Sequence, residues 1–461
     1  MAKEKESDNT KDVLAVSLTN FLDSGGIIAT SVGLALTAWP LYLGFSHDTF
    51  LVSIIGCLTG NAFGAAVGAL IGGILADKYG RTFVYRYNLL LYALGALIIT
   101  ISSSFELLLV GVILMGLTTG AGVPASWSYI SEVSNANGRA YNIGLSQLAW
   151  SIGPAAIYFI ATGLIVALPT AGGTAAAPTL LPAGTYGPFD GLLAIRIVFL
   201  ALFVIAMIAW NMQRKLKESD DWAEKKAATK LTFGQMMGKA LSNSVNIKTI
   251  AFLVAFYLSW NLVAGAMGQF MPFMYTAAGG FTDVQANLLS GAVWTLCSLG
   301  SYFIFARLGD HVSHKLLVVI GSVMALASWV VMTFFGTTII AGTSAAVVAW
   351  VLPLFVVLWG VSSCLPQAFY ALWSTELFPA QYRGGVSGIM FFLVRGTIGI
   401  WSLVMGGVLN VGTPEGFTTA GVVMCVFLVI SLIVGIVGTP NTRGRELDDI
   451  IRERYGEDMG V

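Results

Sequence analysis

Two ionisable side chains stand deep inside apolar runs: Asp23 in LTNFLDSGGIIATSVG (Leu18–Gly33) and Arg395 in GIMFFLVRGTIGIW (Gly388–Trp401). Three kinds of chemistry fit the acid. It could pair with Arg395 and lock distant parts of the chain together, or it could bind substrate hydroxyls as a permanent carboxylate. The favoured reading is a proton carrier. A carboxylate that meets an arginine in one state and apolar surroundings in another changes its proton affinity between them, and proton-driven transport needs that coupling. Arg395 could instead clamp the carboxylate of an organic anion. A second set of deep polar and aromatic residues could bond hydroxyls or stack on a ring. These are Asn20, Gln147, Trp150, Trp260, Asn261, Gln269, Trp294, Gln367, Tyr370, Trp373 and Trp401. A site built to bond hydroxyls rejects analogues that lack them. Tryptophan is also common at membrane interfaces, so the aromatic members keep a plain packing reading beside the functional one.

Such residues need a scaffold, and composition indicates which. Of 461 residues, 56% are hydrophobic and 10% charged, against about 25% charged in soluble domains. The chain reads as an integral membrane protein. Basic and acidic residues balance at 24 each, which leaves no net field for nucleic acid. A helix needs about 20 apolar residues to cross the hydrocarbon core. Twelve runs qualify, at 13–36, 50–75, 83–104, 106–128, 141–167, 191–212, 247–274, 286–306, 315–337, 345–370, 385–410 and 418–438. With both termini cytoplasmic, every lysine and arginine falls inside except Arg196 and Arg395, which lie within or at the edge of spans. This is the positive-inside pattern. The outer loops carry no N-x-S/T acceptor, which favours a bacterial plasma (inner) membrane. At 1.5 Å per residue, Asp23 lies about 15 Å beyond Val13 and Arg395 about 18 Å beyond Arg383, both near the bilayer middle. A charge there costs about 2.5–3.5 kcal/mol.

The chain divides into a cytoplasmic tail (1–12), a six-span half (13–212), a charged cytoplasmic loop (213–247), a second six-span half (248–438) and a second cytoplasmic tail (439–461). The halves echo each other. GGILADKYGR recurs as FARLGDHVSHK, setting Asp77 against Asp310, 233 residues apart. YISEVSNANGRA recurs as WSTELFPAQYRGG, setting Glu132 against Glu376 and Arg139 against Arg383, both 244 residues apart. A duplicated unit with its site at the repeat interface is the plan of many secondary transporters. Gly72 and Gly73 allow close helix approach, Asp77 can accept from a helix N-terminus, and Gly80 permits a turn before Arg81. The charged set can form ion pairs that hold one gate closed and part when the halves rock. The plain alternative is that these charges anchor helices. The four cysteines (Cys57, Cys297, Cys364, Cys425) lie far apart in apolar runs and read as buried hydrophobes. Three histidines (His47, His311, His314) fall in loops or at their edges. With no metal spacing and no nucleotide loop, no metal, cofactor or enzymatic activity is expected.

These motifs resemble those of the major facilitator superfamily, and within it the sugar porter and metabolite–proton symporter branches. Gly73, Leu75, Asp77, Gly80 and Arg81 match its G-x-L-x-D-x-x-G-R. LKESDDW (Leu216–Trp222) and TPNTRGRELDDI (Thr439–Ile450) look like P-E-S-P-R-W-L and P-E-T-K-G-x-x-L-E-E-I. SQLAWSIG (Ser146–Gly153) is similar to N-Q-L-x-x-x-x-G and implies that Gln147 bonds substrate in the cavity. FLDSGGIIA resembles F-G-Y-D-x-G-V-I-x-G, which puts the family's proton-linked carboxylate on Asp23; Ser24, Gly25 and Gly26 fit a locally loosened, closely packed helix, and equally fit ordinary packing residues. The resemblance implies an all-α polytopic protein of twelve transmembrane helices in two six-helix halves, working as a monomer. Departures are equally plain. Val112 stands where the usual fourth-span arginine would be, and AGAMGQFMPFMY offers Gln269 and Tyr275 in place of Q-Q-x-S-G-x-N. Arg395 replaces the usual Asn-Trp and is more like the organic-ion and aromatic-acid branches.

The expected function is proton-coupled symport of a sugar, polyol or related small polar metabolite by alternating access. Its partners are the small-molecule substrate, protons and the lipid bilayer. The alternatives are an organic-anion (sugar acid or aromatic acid) proton symporter using Arg395, and a facilitated-diffusion carrier or non-transporting sensor.

Overall fold

The computed structural model describes residues 2–35, 49–167, 193–219, 222–224, 232–277, 281–340 and 345–456. His47, Lys225, Lys226 and Lys230 lie outside them. Among the described residues twelve helices are long and apolar enough to cross a membrane. In order they are Lys11–Val32, Ser53–Tyr79, Arg81–Ile101, Phe105–Val133, Arg139–Leu164, Leu193–Gln213, Ser244–Tyr275, Val284–Ala306, His314–Phe335, Trp350–Glu376, Arg383–Gly407 and Pro414–Gly438. Large apolar side chains such as Val67, Ile71, Phe303, Phe334 and Val437 remain exposed on their outer faces, as a hydrocarbon solvent permits. Local rules set several ends. Ser104 accepts from the Leu107 amide at 3.3 Å, Thr282 and Gln285 form a capping box, and Gly80 turns the chain at φ +104°, a conformation that strains any side chain.

Two spans are irregular. The second is broken between Leu58 and Phe63, so Thr59–Ala62 form a turn inside the bundle. Non-helical backbone at membrane depth is tolerated only where protein or a cavity satisfies it. The eighth ends in a π-helical turn, Ser301–Ala306. The first span, by contrast, is continuous from Ala2 to Ala35. The loosening expected at Ser24–Gly26 is therefore absent: Gly25 and Gly26 serve close packing, Gly25 against the Gly153 backbone and Gly26 under the Tyr92 hydroxyl.

Helix pairings repeat between the halves. The first span packs on the fifth and sixth, the second on the fourth, and the third on the fourth and sixth. The seventh packs on the eleventh and twelfth, the eighth on the tenth, and the ninth on the tenth and twelfth. Across the interface the second meets the eleventh, the fifth meets the eighth, and the first meets the seventh. Glycine makes these crossings possible: a Cβ on Gly73 would lie 2.3 Å from the Gly384 carbonyl oxygen, and one on Gly144 would lie 2.5 Å from the Ala306 Cβ.

At the face bearing both chain ends, here the terminal face, buried charge joins the halves. Glu132 accepts from Arg81 at 2.8 Å and from Arg383 at 2.9 Å, all three fully buried. Asp77 bonds Arg81 at 3.1 Å and caps the eleventh span through the Gly384 and Gly385 amides. Glu218 of the middle loop accepts from the Thr82 amide and hydroxyl, Ser219 donates to Glu132, and Trp222 stacks 5.7 Å from the Arg81 guanidinium. In the repeat, Arg139 pairs with Glu376 at 2.9 Å. Asp310 caps the fifth span through the Ala140 and Tyr141 amides at 3.2 and 3.0 Å. Burial pushes the Asp310 carboxyl up, against the pull of those donors.

The two networks are not equal. Arg81 donates to the carbonyl before Asp77, that of Ala76, and reaches on to Glu132. His314 meets the carbonyl before Asp310, that of Gly309, through Nε2 at 3.1 Å, so it fills the same local place. It then packs against Phe369 and Trp373 and forms no ion pair with Glu376. It stands at the loop edge, as the first residue of the ninth span, and is 5% exposed. Glu132 thus holds two arginines and Glu376 one.

Removing one partner of a buried ion pair leaves an uncompensated charge worth about 3–5 kcal/mol, which is about a hundredfold or more in an equilibrium. Glu132→Gln removes the carboxylate that Arg81 and Arg383 share, leaving Arg81 its pair with Asp77. Spin labels at Lys78 and Arg307, exposed in opposite halves, should shift in this variant from a short to a longer main distance. An unchanged distribution would mean that the network does not hold the terminal face closed.

Candidate functional site

A chamber with about 570 Å³ of space not filled by protein atoms, part of it open to solvent, lies between the halves. The fifth span supplies Gln147, Trp150, Ser151 and Tyr158. The seventh supplies Trp260, Met267, Met271 and Tyr275, the eighth Ser290, Trp294, Cys297 and Ser301, and the tenth Trp359, Ser363, Cys364 and Gln367. A second such space, of about 370 Å³, shares Trp150, Trp260, Ala264, Trp294 and Gln367 with it and adds Ser24, Asn61, Asn261 and Arg395.

Its walls are apolar rings with polar atoms set among them. Gln367 donates to the Gln147 side-chain oxygen at 3.0 Å, joining the halves across the chamber. The Gln147 Nε2, Trp260 Nε1, Asn261 Nδ2 and Tyr275 hydroxyl groups are buried and find no protein partner among the described residues. Each such group costs about 1–3 kcal/mol unless something else bonds it. A ligand rich in hydroxyls would bond them, and the indole and phenol rings around it would cover its carbon–hydrogen faces.

Arg395 borders the chamber but is engaged. It is 2% exposed, donates to the Asn61 side-chain oxygen and to the Asn61 carbonyl, and lies 4.7 Å over the Phe391 ring. Asn61 stands in the break of the second span and donates in turn to the Gly265 carbonyl at 2.8 Å. One broken helix therefore ties the second, seventh and eleventh spans together. A continuous helix would bond that carbonyl internally; the break presents it to the arginine.

Asp23 and Arg395 form no ion pair. Asp23 faces away from the chamber, into the first half, and is fully buried. Neither carboxylate oxygen completes a hydrogen bond; the Thr119 hydroxyl flanks the group. An oxygen lies 3.3 Å from where a Gly122 Cβ would be, so the fourth-span residues that face it are Thr119 and Gly122.

Of the residues singled out by sequence, Gln147, Trp150, Trp260, Asn261, Trp294, Gln367 and Arg395 come together around this space. Five do not line it. Asn20 donates to Ser146 at 2.7 Å and clasps the first and fifth spans. Gln269 is buried near Gly56, and its carbonyl accepts from Ser31. Tyr370 stacks on Tyr257 at 4.0 Å, Trp373 on Phe369 at 4.9 Å, and Trp401 meets Phe427 edge-on. Arg196, at the edge of the sixth span, donates to the Ser102 carbonyl. Sequence reasoning missed Asn61, Tyr158, Ser363 and the cavity position of Cys297 and Cys364. Cys297 is no mere buried hydrophobe, since its sulfur meets the Ser151 hydroxyl at 3.2 Å. The signal for Asn61 was there, an amide amid glycine and alanine in GNAFGAA, but nothing local says that the helix breaks.

Comparison with known proteins agrees with this architecture. Residues 16–403 match the family model described as Major Facilitator Superfamily. The chain is 36% identical over 458 residues to the minor myo-inositol transporter IolF of Bacillus subtilis, covering 98% of this chain and 95% of that one. It is 27% identical over 403 residues to the glucose transporter GlcP of Staphylococcus epidermidis, covering 85% and 87%. Among solved structures it is similar to the proton:xylose symporter XylE bound to 6-bromo-6-deoxy-D-glucose, with TM-score 0.75, 14% identity and coverage of 97% and 99%. The fucose symporter FucP in its outward conformation gives TM-score 0.67 at 15% identity, covering 94% of this chain and all of that one. With twelve spans in two six-helix halves around a central chamber, the chain belongs to the major facilitator superfamily and is a multi-pass membrane transporter.

Proposed function

We propose that the protein is a proton-coupled symporter of a neutral sugar or cyclic polyol, working by alternating access. One observation carries the reading: the chamber between the halves is ringed by aromatics and holds several neutral hydrogen-bonding groups without a partner among the described residues, while the cation that borders it, Arg395, is occupied by Asn61. An organic anion would have to break the Arg395–Asn61 contact to be bound by charge. The names of the relatives point the same way, since IolF is called a myo-inositol transporter and GlcP a glucose transporter. By the distribution of lysine and arginine, the terminal face is the cytoplasmic one. The structure would then stand closed to the cytoplasm, and substrate would enter from the other side of a plasma membrane.

In this reading Asp23 carries the proton. It sits near the bilayer middle with no cation beside it, and a charge left there uncompensated is costly. Protonation removes that cost. Rocking of the halves would change its surroundings and so its hold on the proton, and the membrane potential adds about 2.3 kcal/mol per charge per 100 mV. Gln147 and Gln367 hold the ligand between the halves, and their bridge communicates occupancy across the interface. The charged clusters at the terminal face act as the gate.

Two outcomes follow. Gln147→Ala and Gln367→Ala should each raise KM about tenfold, the effect of roughly 1.4 kcal/mol from a lost hydrogen bond, with the larger effect on ligands whose hydroxyls are intact. Uptake of myo-inositol, glucose, xylose and their acids in cells measures this; equal KM values in variant and wild type would remove the glutamines from the site. In weakly buffered, de-energised cells, addition of the transported neutral compound should make the medium alkaline. Asp23→Asn should abolish that signal while counterflow survives. A signal from sugar acids alone would instead bring Arg395 forward as an anion clamp.

A further inference from the structure

Asp23 does not open on the chamber, so its proton needs a route of its own. We propose that the proton leaves through the interior of the first half, along a file of Asn88, Thr19 and Gln213 that ends at the terminal face. The proposal rests on the reading of Asp23 as the proton carrier.

Two polar groups, Asn88 and Asp23, and the methyl of Thr19 converge beside the fourth span because Gly122 has no side chain. The point a Cβ would occupy lies 2.9 Å from Asn88 Nδ2, 2.9 Å from Thr19 Cγ2 and 3.3 Å from Asp23 Oδ2. Thr19 stands one helical turn from Asp23 on the same face of the first span, toward the terminal side. Its hydroxyl accepts from Gln213 Nε2 at 2.7 Å, and the same nitrogen donates to the Ala15 carbonyl at 2.8 Å. Gln213 is the last residue of the sixth helix, and Arg214 and Lys215 just beyond it are exposed. Toward the other face the lining is mainly apolar. Beyond Asp23 the first half presents Met115, Val112 and Ile99, all buried, and the Tyr92 hydroxyl is committed to the Leu22 carbonyl at 2.6 Å.

Gln213 has the features of a valve. Its nitrogen holds two acceptors on the first span, while its side-chain oxygen is buried without a partner. In the structure described here the amide closes the file. Turning it away frees the Thr19 hydroxyl and lets water enter from the terminal face. The Asp23 carboxyl then gives its proton to that water, leaving a carboxylate, and hydronium passes out. Gln213 is a positioning residue: it does not take the proton, it admits the acceptor. Substrate and proton would leave by separate paths toward the same face.

The test needs no substrate. In the purified, detergent-solubilised full chain, a pH jump followed by time-resolved infrared absorption reads the carboxyl stretch of Asp23, assigned as the band that Asp23→Asn removes. Gln213→Leu and Thr19→Val should each slow its relaxation at least tenfold, and Gln213→Glu should restore it. Wild-type relaxation in both blocking variants would overturn the route, because the proton would be leaving elsewhere, while the carrier reading would stand. If Asp23→Asn removes no titrating band, the carrier reading itself falls. Loss of folding in both blocking variants, judged by the melting temperature, would likewise overturn the proposal by making the file a structural brace.

Discussion

A charge within a hydrocarbon layer has to be answered by the protein itself, and that constraint organises this molecule. At the terminal face the answer is Glu132 between Arg81 and Arg383, a carboxylate shared by two guanidiniums from opposite halves. Buried ion pairs contribute little net stability against apolar packing, but breaking one is costly. An arrangement of this kind suits a gate. It defines one closed state sharply without making that state deeply stable, since in the open state water can solvate the same charges. Arg395 is answered differently, by the carbonyl and amide of a broken helix.

The charged network built on this constraint is lopsided. The crossing of the second and eleventh spans carries two arginines on one glutamate, a capping aspartate and three side chains of the middle loop. The crossing of the fifth and eighth spans carries one arginine on one glutamate, because His314 fills the local place of Arg81 and ends in an aromatic cluster. The tail leans on this second side. Arg445 presents its carbonyl to Arg139, and Arg443 donates to the His311 carbonyl. Further along, Tyr455 bonds Asn246 and the Leu377 carbonyl. The π-helical turn also lies here, between the chamber at Ser301 and the charged network at Asp310. A π turn often marks a functional irregularity.

Neutral recognition and charge management occupy different places. The chamber presents glutamines, tryptophans and tyrosines from both halves. The acid is held apart, inside one half. Asp23 thus adds no charge to the chamber wall, and the arginine that borders it, Arg395, is engaged by Asn61. In the proposed mechanism, coupling depends on the packing of the first, third, fourth and sixth spans around Asp23.

Much of this could be read along the chain. Hydrophobic runs of membrane length determine twelve spans, because lipid leaves the helix as the way for an isolated segment to satisfy its backbone. The duplicated charged loops determine the two halves, and the glycines at 72 and 73 their close crossing. Glutamine and tryptophan deep in the fifth, seventh and tenth spans marked real cavity residues. What the sequence did not determine is direction and partnership. Asn20, Gln269, Tyr370, Trp373 and Trp401 have the same composition and depth as true lining residues, and a rotation of about 100° per residue decides which face the chamber. The break at Thr59–Ala62 follows from no local proline or cap; it exists because Arg395, 334 residues from Asn61 in sequence, needs a carbonyl that an intact helix would not give up. Spacing along one helix is a local property. Which side chain meets which across helices is set by packing of the whole bundle, and only the tertiary structure decided it.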